Sequence, residues 1–402
     1  MKNWLADFPF LSQMVHGHQI AYLDNAATAQ KPRMVLDALT DFYTTANANV
    51  HRAVYEHAEQ ATERYEAARA VLACFINAQP DEIVFTGGAT QSINVVAHCW
   101  ALHHLKPGDD ILVTQLEHHA NLLPWYEVAR ATGAQLRIVP IEPDGTITLA
   151  AYEQYLKPTT KLVSVVHTSH ATGARLPVAE MIRKAHAVGA LVLLDAAQSV
   201  AHEALDVVQL SVDFLAFSAH KMGGPTGIGL LFAAKRVHHM LRPFLWGGGM
   251  IEQIHQDGSL QAREYPYGFE AGTPPIAQAI GFAAAVAYIQ TLDRAALQMH
   301  EAALCAQLID ELLRMPRVQL VGPLAALATS GHMVSFYIDG MHAHDVAFYQ
   351  NRYGIAVRAG NLCAQLAIEA LGGSPLVRVS FLWYNTHAEV ERFVAVLRKL
   401  LG

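Results

Sequence analysis

Charge is sparse in this chain and cysteine sparser still. Asp, Glu, Lys and Arg make up 16% of the residues, the net charge is −7, and lysines and arginines form no run. A polyanion binder needs a basic patch, so nucleic acid is not an expected partner. The four cysteines, Cys74, Cys99, Cys305 and Cys363, form no CxxC pair, which argues against a disulfide framework or a zinc site, and no bound metal is expected. The longest uncharged apolar stretch, Ile280 to Gln290, is too short and alanine-rich to span a bilayer. Met1 to Met14 has Asp7 early, and it lacks both the apolar core of a secretory signal and the arginines of a transit peptide. No membrane association is expected, and the expected location is cytoplasmic. Internal repeats and low-complexity segments are missing as well.

What the chain does contain is enough apolar residue for a large core: 52% of 402 residues, a length that suggests one large and one small domain. Short apolar runs at Ile83–Thr86, Asp110–Thr114, Leu136–Val139, Lys161–Val166, Ala190–Leu194, Asp213–Phe217 and Ile228–Phe232 alternate with helical patterns. That alternation predicts an α/β fold with a mainly parallel sheet flanked by helices. The pattern changes near residue 290. The spacing predicts a helix over 296–315, strands at 333–338, 355–358 and 377–381, and a final helix opened by the capping box Thr386-His387-Ala388-Glu389. The expected division is a large domain over 20–290 and a smaller α/β domain made of 1–19 and 291–402.

Chemistry-bearing residues gather just beyond the carboxyl ends of the predicted strands, where open α/β sheets bind ligands. Lys221 follows the strand ending at Phe217 and opens a glycine-rich loop. Burial would lower its pKa and make it an amine nucleophile for a Schiff base; a lysine snorkelling to water is the plainer alternative. Gly87-Gly88-Ala89-Thr90 joins a strand to a helix start, which reads either as an anion site or as an ordinary capped helix. His118 and His119 lack a third ligand at metal-binding spacing. Arg378, inside an apolar strand, needs an anion, from a substrate carboxylate or from a structural salt bridge. Cys363 lies in the loop Arg358-Ala359-Gly360-Asn361-Leu362-Cys363-Ala364, whereas Cys74, Cys99 and Cys305 keep apolar helical spacing and are expected in the core. His51, taken alone, is an ordinary loop residue.

Taken in order, from about Tyr22 to the C-terminus, these motifs resemble the class V aminotransferase group of fold-type I enzymes. Within that group they are similar to the second of the two cysteine desulfurase groups. The resemblance implies pyridoxal 5'-phosphate as cofactor: Lys221 carries it, Asp195 faces its pyridine nitrogen, and Gln198 and His170 reach its phenolate oxygen. His118 stacks on the ring and moves protons. The phosphate falls to Ala89, Thr90, Ser218 and His220, with Thr273 reaching the site of a neighbouring subunit in a homodimer. Asn25, Ala26, His51, Arg358 and Arg378 surround the substrate, L-cysteine. Cys363 attacks the substrate sulfur and leaves as a persulfide while alanine departs, and the sulfur passes to a small acceptor protein for iron–sulfur cluster assembly or related sulfur metabolism. A cysteine or selenocysteine lyase that does not need Cys363, and a non-catalytic paralogue, are the alternatives. This chain departs from the family pattern at Ala89 (usually Thr), His170 (usually Asn), Met222-Gly223 (usually Leu-Tyr), Pro275 (usually Asn) and Leu362 (usually His). His170 is expected to donate the bond its Asn counterpart makes and to titrate near physiological pH.

Overall fold

The computed structural model describes residues 4–402. Residues 1–3, the start of both the segment read for targeting signals and the expected 1–19 unit, lie outside the described residues. Seven strands form the main sheet in the order Ile83–Thr86, Gly229–Ala233, Phe214–Ser218, Leu191–Asp195, Thr160–Val166, Asp110–Thr114, Gln135–Val139. Gly229–Ala233 runs antiparallel to both neighbours, and the remaining adjacent pairs are parallel. The central strands are buried along nearly their whole length, with Leu191 alone half-buried among Asp110–Thr114, Leu191–Asp195, Phe214–Ser218 and Gly229–Ala233. Helices cover both faces, so these strands read as continuous apolar runs and not as alternation.

The antiparallel strand could not be told from its parallel neighbours by composition. Its geometry depends on Gly229, where a Cβ would lie 2.5 Å from Gly88 Cα and 2.6 Å from Phe217 O. Only a residue without a side chain lets these backbones approach so closely.

A second sheet orders Val318–Val321, Met333–Ile338, Leu376–Ser380 and Arg358–Gly360, all antiparallel. The strand expected over 355–358 is in fact two. Ile355–Ala356 pairs in parallel with Ala21–Tyr22, while Arg358–Gly360 joins the smaller sheet. This split brings the segment after Tyr22 beside Leu376–Ser380, with a bridge between Asp24 and Ser380.

The apolar helix Ile276–Gln290 meets Arg294–Leu313 at a bend of 85°, and the first of the two is buried on most sides. No single helix among the described residues is long and apolar enough to cross a membrane. The last helix, His387–Leu401, is capped as expected: Glu389 N donates to Thr386 Oγ1 and Thr386 N donates to Glu389 Oε2. Cys99 and Cys305 are buried, but Cys74 is exposed, against expectation. The helix Glu56–Phe75 buries Ala68, Leu72 and Ala73, and at 100° per residue Cys74 falls past that face.

Candidate active site

A cavity of about 310 Å³ opens at the carboxyl ends of the parallel strands. All the expected site residues line it except Asn25, His51 and Thr273. Asp195 ends the strand Leu191–Asp195, and Lys221 stands in the turn directly after Phe214–Ser218. Asp195 is 4% exposed and accepts one hydrogen bond from Ala197 N at 2.9 Å. Burial raises its pKa, and Lys221 only partly opposes this. Lys221 itself is pushed below the usual lysine range, first by burial and then by Arg378. A buried carboxylate and an amine of lowered pKa lining one cavity suit a ligand with a cationic N–H and an electrophilic carbon.

The turn before the helix Ala89–Val96 forms a third element. Gly88 has φ of 144°, a conformation that favours glycine, and a Cβ there would meet Ser218 Oγ at 3.2 Å. Ala89 N donates to Ser218 Oγ at 2.8 Å. Free N–H groups at this helix start, with the Thr90, Ser218 and His220 side chains beside them, fit a phosphate. His220 is held neutral, its pKa lowered to about 4 by burial, Lys221 and Lys31. Gln198 Nε2 donates to Ala26 O at 2.8 Å, which leaves its second amide hydrogen for a ligand.

His118 accepts from Ala120 N through Nδ1 at 3.0 Å, so the neutral ring carries its hydrogen on Nε2. Burial, Lys221, His119 and Arg378 lower its pKa to about 4. His170 packs edge-on to it, with ring centroids 4.8 Å apart.

The structure changes two expectations for His170. Its Nε2 faces Leu362 O at 2.8 Å, so its hydrogen goes to the Cys363 loop. Burial and three neighbouring groups, His118, Lys221 and Arg378, push its pKa far below the ordinary histidine value, so it does not titrate near neutral pH.

Arg378 is 3% exposed. Its Nη1 donates to His170 O at 2.7 Å and its Nη2 faces Asp24 Oδ1 at 3.4 Å, while its Nε is buried without a partner. An unmet guanidinium donor on a cavity wall fits a ligand carboxylate. Cys363 is exposed at the mouth of the same cavity.

The three residues outside this cavity have other surroundings. Asn25 is buried and its amide donates to Tyr22 O, Ser380 O and Asn385 Oδ1, which fixes the backbone of Ala26 beside the site. His51 Nε2 bonds Glu66 Oε1 at 2.8 Å, and together with Thr273 it lines a separate cavity of about 220 Å³.

Sequence reasoning did not single out Asp24 or Lys31. Asp24 pairs with both Arg358 and Arg378. Lys31 Nζ donates to His220 O at 3.3 Å, next to Lys221, and burial lowers its pKa to about 8. Nothing local to Asp24 marks these partners, which lie more than 330 residues along the chain.

A family model described as "Aminotransferase class-V" matches residues 21–393. A cysteine desulfurase from Haloferax volcanii is 40% identical over 403 residues, covering 97% of this chain and 94% of the relative. Among solved structures, the cysteine desulfurase CsdA (S-sulfonic acid) from Escherichia coli superposes with a TM-score of 0.91 at 36% identity, over 99% of this chain and 97% of that one. The apo cysteine desulfurase from Thermococcus onnurineus NA1 gives 0.92 at 38% identity, over 98% and 96%. With its lysine, buried aspartate and glycine turn set around one cavity, and with the family matched from residue 21 to residue 393, the chain belongs to the class-V aminotransferases.

Proposed function

We propose that the protein is a cysteine desulfurase that uses pyridoxal 5'-phosphate to convert L-cysteine to L-alanine, with Cys363 accepting the sulfur. One observation carries this reading: an exposed loop cysteine lines the same cavity as Lys221 and the buried Arg378. The cofactor's parts match the groups present. Lys221 Nζ would hold it covalently, Asp195 would sit against its ring nitrogen, and the Gly88–Thr90 turn with Ser218 and His220 would take its phosphate. When bound, pyridoxal phosphate supplies an electron sink for the substrate α-carbon.

The residues do the rest. Arg378 offers Nε to the substrate carboxylate and fixes its orientation. Lys221, its pKa lowered by burial, spends more time as the free amine and can take and return a proton at Nζ. His118 presents Nε2–H and stays neutral above its pKa of about 4. The Cys363 thiolate attacks the substrate sulfur. A sulfur–sulfur bond forms and the Cβ–sulfur bond breaks, its electron pair going to Cβ, which takes a proton. The two sulfurs are oxidised as Cβ is reduced, so alanine leaves and Cys363 keeps a persulfide. A small acceptor protein or an external thiol then removes the sulfur.

The 85° bend between Ile276–Gln290 and Arg294–Leu313 supports a boundary near residue 290, with units of 20–290 and of 1–19 plus 291–402. Thr273 is exposed beside Arg263 at the second cavity, available to a second copy of the chain in a homodimer. Four free cysteines suit a reducing compartment such as the cytoplasm.

The test is a mass spectrum of the Cys363 peptide after one equivalent of L-cysteine and no reductant. The expected result is one additional sulfur atom on Cys363. Alanine accumulating over an unmodified Cys363 would instead favour a lyase.

A further inference from the structure

Leu362 and Cys363 both sit at positive φ, 52° and 56°. Two consecutive non-glycine residues in the left-handed region are unfavourable unless the surroundings enforce them. The enforcement comes from two histidine residues outside the loop. His119 N donates to Cys363 O at 2.9 Å, and His170 Nε2 lies 2.8 Å from Leu362 O. Within the loop, Ala364 N closes onto Asn361 O at 2.8 Å.

A carbonyl can only accept, so His170 must be the donor, and its one ring hydrogen in the neutral state is on Nε2. His170 Nδ1 is then an acceptor, buried with no partner. The ring stays neutral because it is buried among His118, Lys221 and Arg378. A neutral His170 therefore has no hydrogen left to offer a ligand in the cavity. The bond it does make crosses from the turn after Thr160–Val166 to the loop after Arg358–Gly360.

We propose that His170 is a positioning residue for Cys363: its side chain latches the Leu362 carbonyl and so holds the thiol at the cavity mouth for sulfur transfer. The inference rests on Cys363 being the sulfur acceptor. It goes beyond that reading in giving His170 a task on the loop and none on the cofactor.

Stereochemistry supplies a test that separates reach from mere polarity. A glutamine amide nitrogen stands three bonds from Cβ, as His Nε2 does. An asparagine amide nitrogen stands two bonds away, in the place of Nδ1. His170→Gln should keep the latch and His170→Asn should cut it, while the backbone carbonyl that holds Arg378 is present in both. Hydrogen–deuterium exchange by mass spectrometry on the holoenzyme, followed over 117–122 and 361–367, reads the loop directly through the His119 and Ala364 amides.

The expected result is exchange in both segments faster by roughly threefold to tenfold in His170→Asn, the effect of losing one neutral hydrogen bond, and near the natural rate in His170→Gln. In the same order, kcat for alanine should fall in Asn and recover in Gln, with KM for L-cysteine moving less than kcat. Equal exchange in the two variants, or natural exchange in His170→Asn, would overturn the latch. A difference between them cannot come from a loss of folding common to both. If alanine formation persists in Cys363→Ser, the sulfur-acceptor reading fails, and the exchange result still decides the latch on its own.

Discussion

Asp24 Oδ2 lies 2.8 Å from Arg358 Nη2, a short ion pair at the rim of the cavity. The same carboxylate reaches Arg378 Nη2 only at 3.4 Å. One carboxylate divided between two guanidiniums leaves the buried one under-neutralised, and burial lowers the Arg378 pKa to about 10. A substrate carboxylate is the anion that completes the set.

Arg378→Lys should therefore raise KM for L-cysteine by roughly tenfold to a hundredfold, the range for losing hydrogen bonds between charged groups, with a smaller effect on kcat. Lysine keeps the charge but lacks the planar fork. Steady-state kinetics at fixed cofactor concentration measures this. A KM within twofold of the natural value would remove the carboxylate from Arg378.

Acid should destabilise the fold in a defined window. His118 and His220 are held at about 4 and His202 at about 3, each chiefly by burial, against an ordinary value of about 6.5. Between those values the unfolded chain binds protons that the folded chain does not, so stability rises with pH there and is lost as pH falls from about 6.5 toward 4. Thermal midpoints over that range should decline, and they should decline less in a His118→Gln, His220→Gln double variant. A double variant that follows the natural curve would contradict this assignment.

A buried ion pair ties the second cavity to the main sheet. Arg69 donates to Glu270 through Nη1 at 2.7 Å and Nη2 at 2.9 Å, and Glu270 also accepts from Phe85 N and Tyr65 Oη. Glu270→Ala would leave the Arg69 charge, 1% exposed, without its chief partner. The expected loss is about 3–5 kcal/mol in denaturant unfolding, well above that of a surface substitution. A loss under about 1 kcal/mol would mean that Glu66, 2.9 Å from Arg69 Nε, suffices as its counterion.

Much of this architecture was legible in the chain because burial on both faces writes each central strand as an unbroken apolar run. The runs at 83–86 and 110–114 coincide with strands residue for residue. Asp195 directly follows such a run, and Lys221 and His118 each come four residues after the end of one. What could not be read was set by distant partners. The sense of Gly229–Ala233 depends on the approach of Gly88 and Phe217. The break between Ile355–Ala356 and Arg358–Gly360 depends on Ala21–Tyr22 taking the first piece as its partner. His170 was expected to face the cofactor, because nothing local shows that Leu362 O lies 2.8 Å from its ring nitrogen. Asn25, quoted as a site residue, turns out to be fully engaged with Tyr22, Ser380 and Asn385, more than 350 residues away in two of those cases.

The most direct test of the account is the amino-acid product formed from L-cysteine with a thiol reductant by the natural protein and by Cys363→Ser, both loaded with pyridoxal phosphate. The account predicts alanine from the natural protein and almost none from the variant, with cofactor absorbance retained in both. Pyruvate from the natural protein, or alanine at an undiminished rate from the variant, would contradict it.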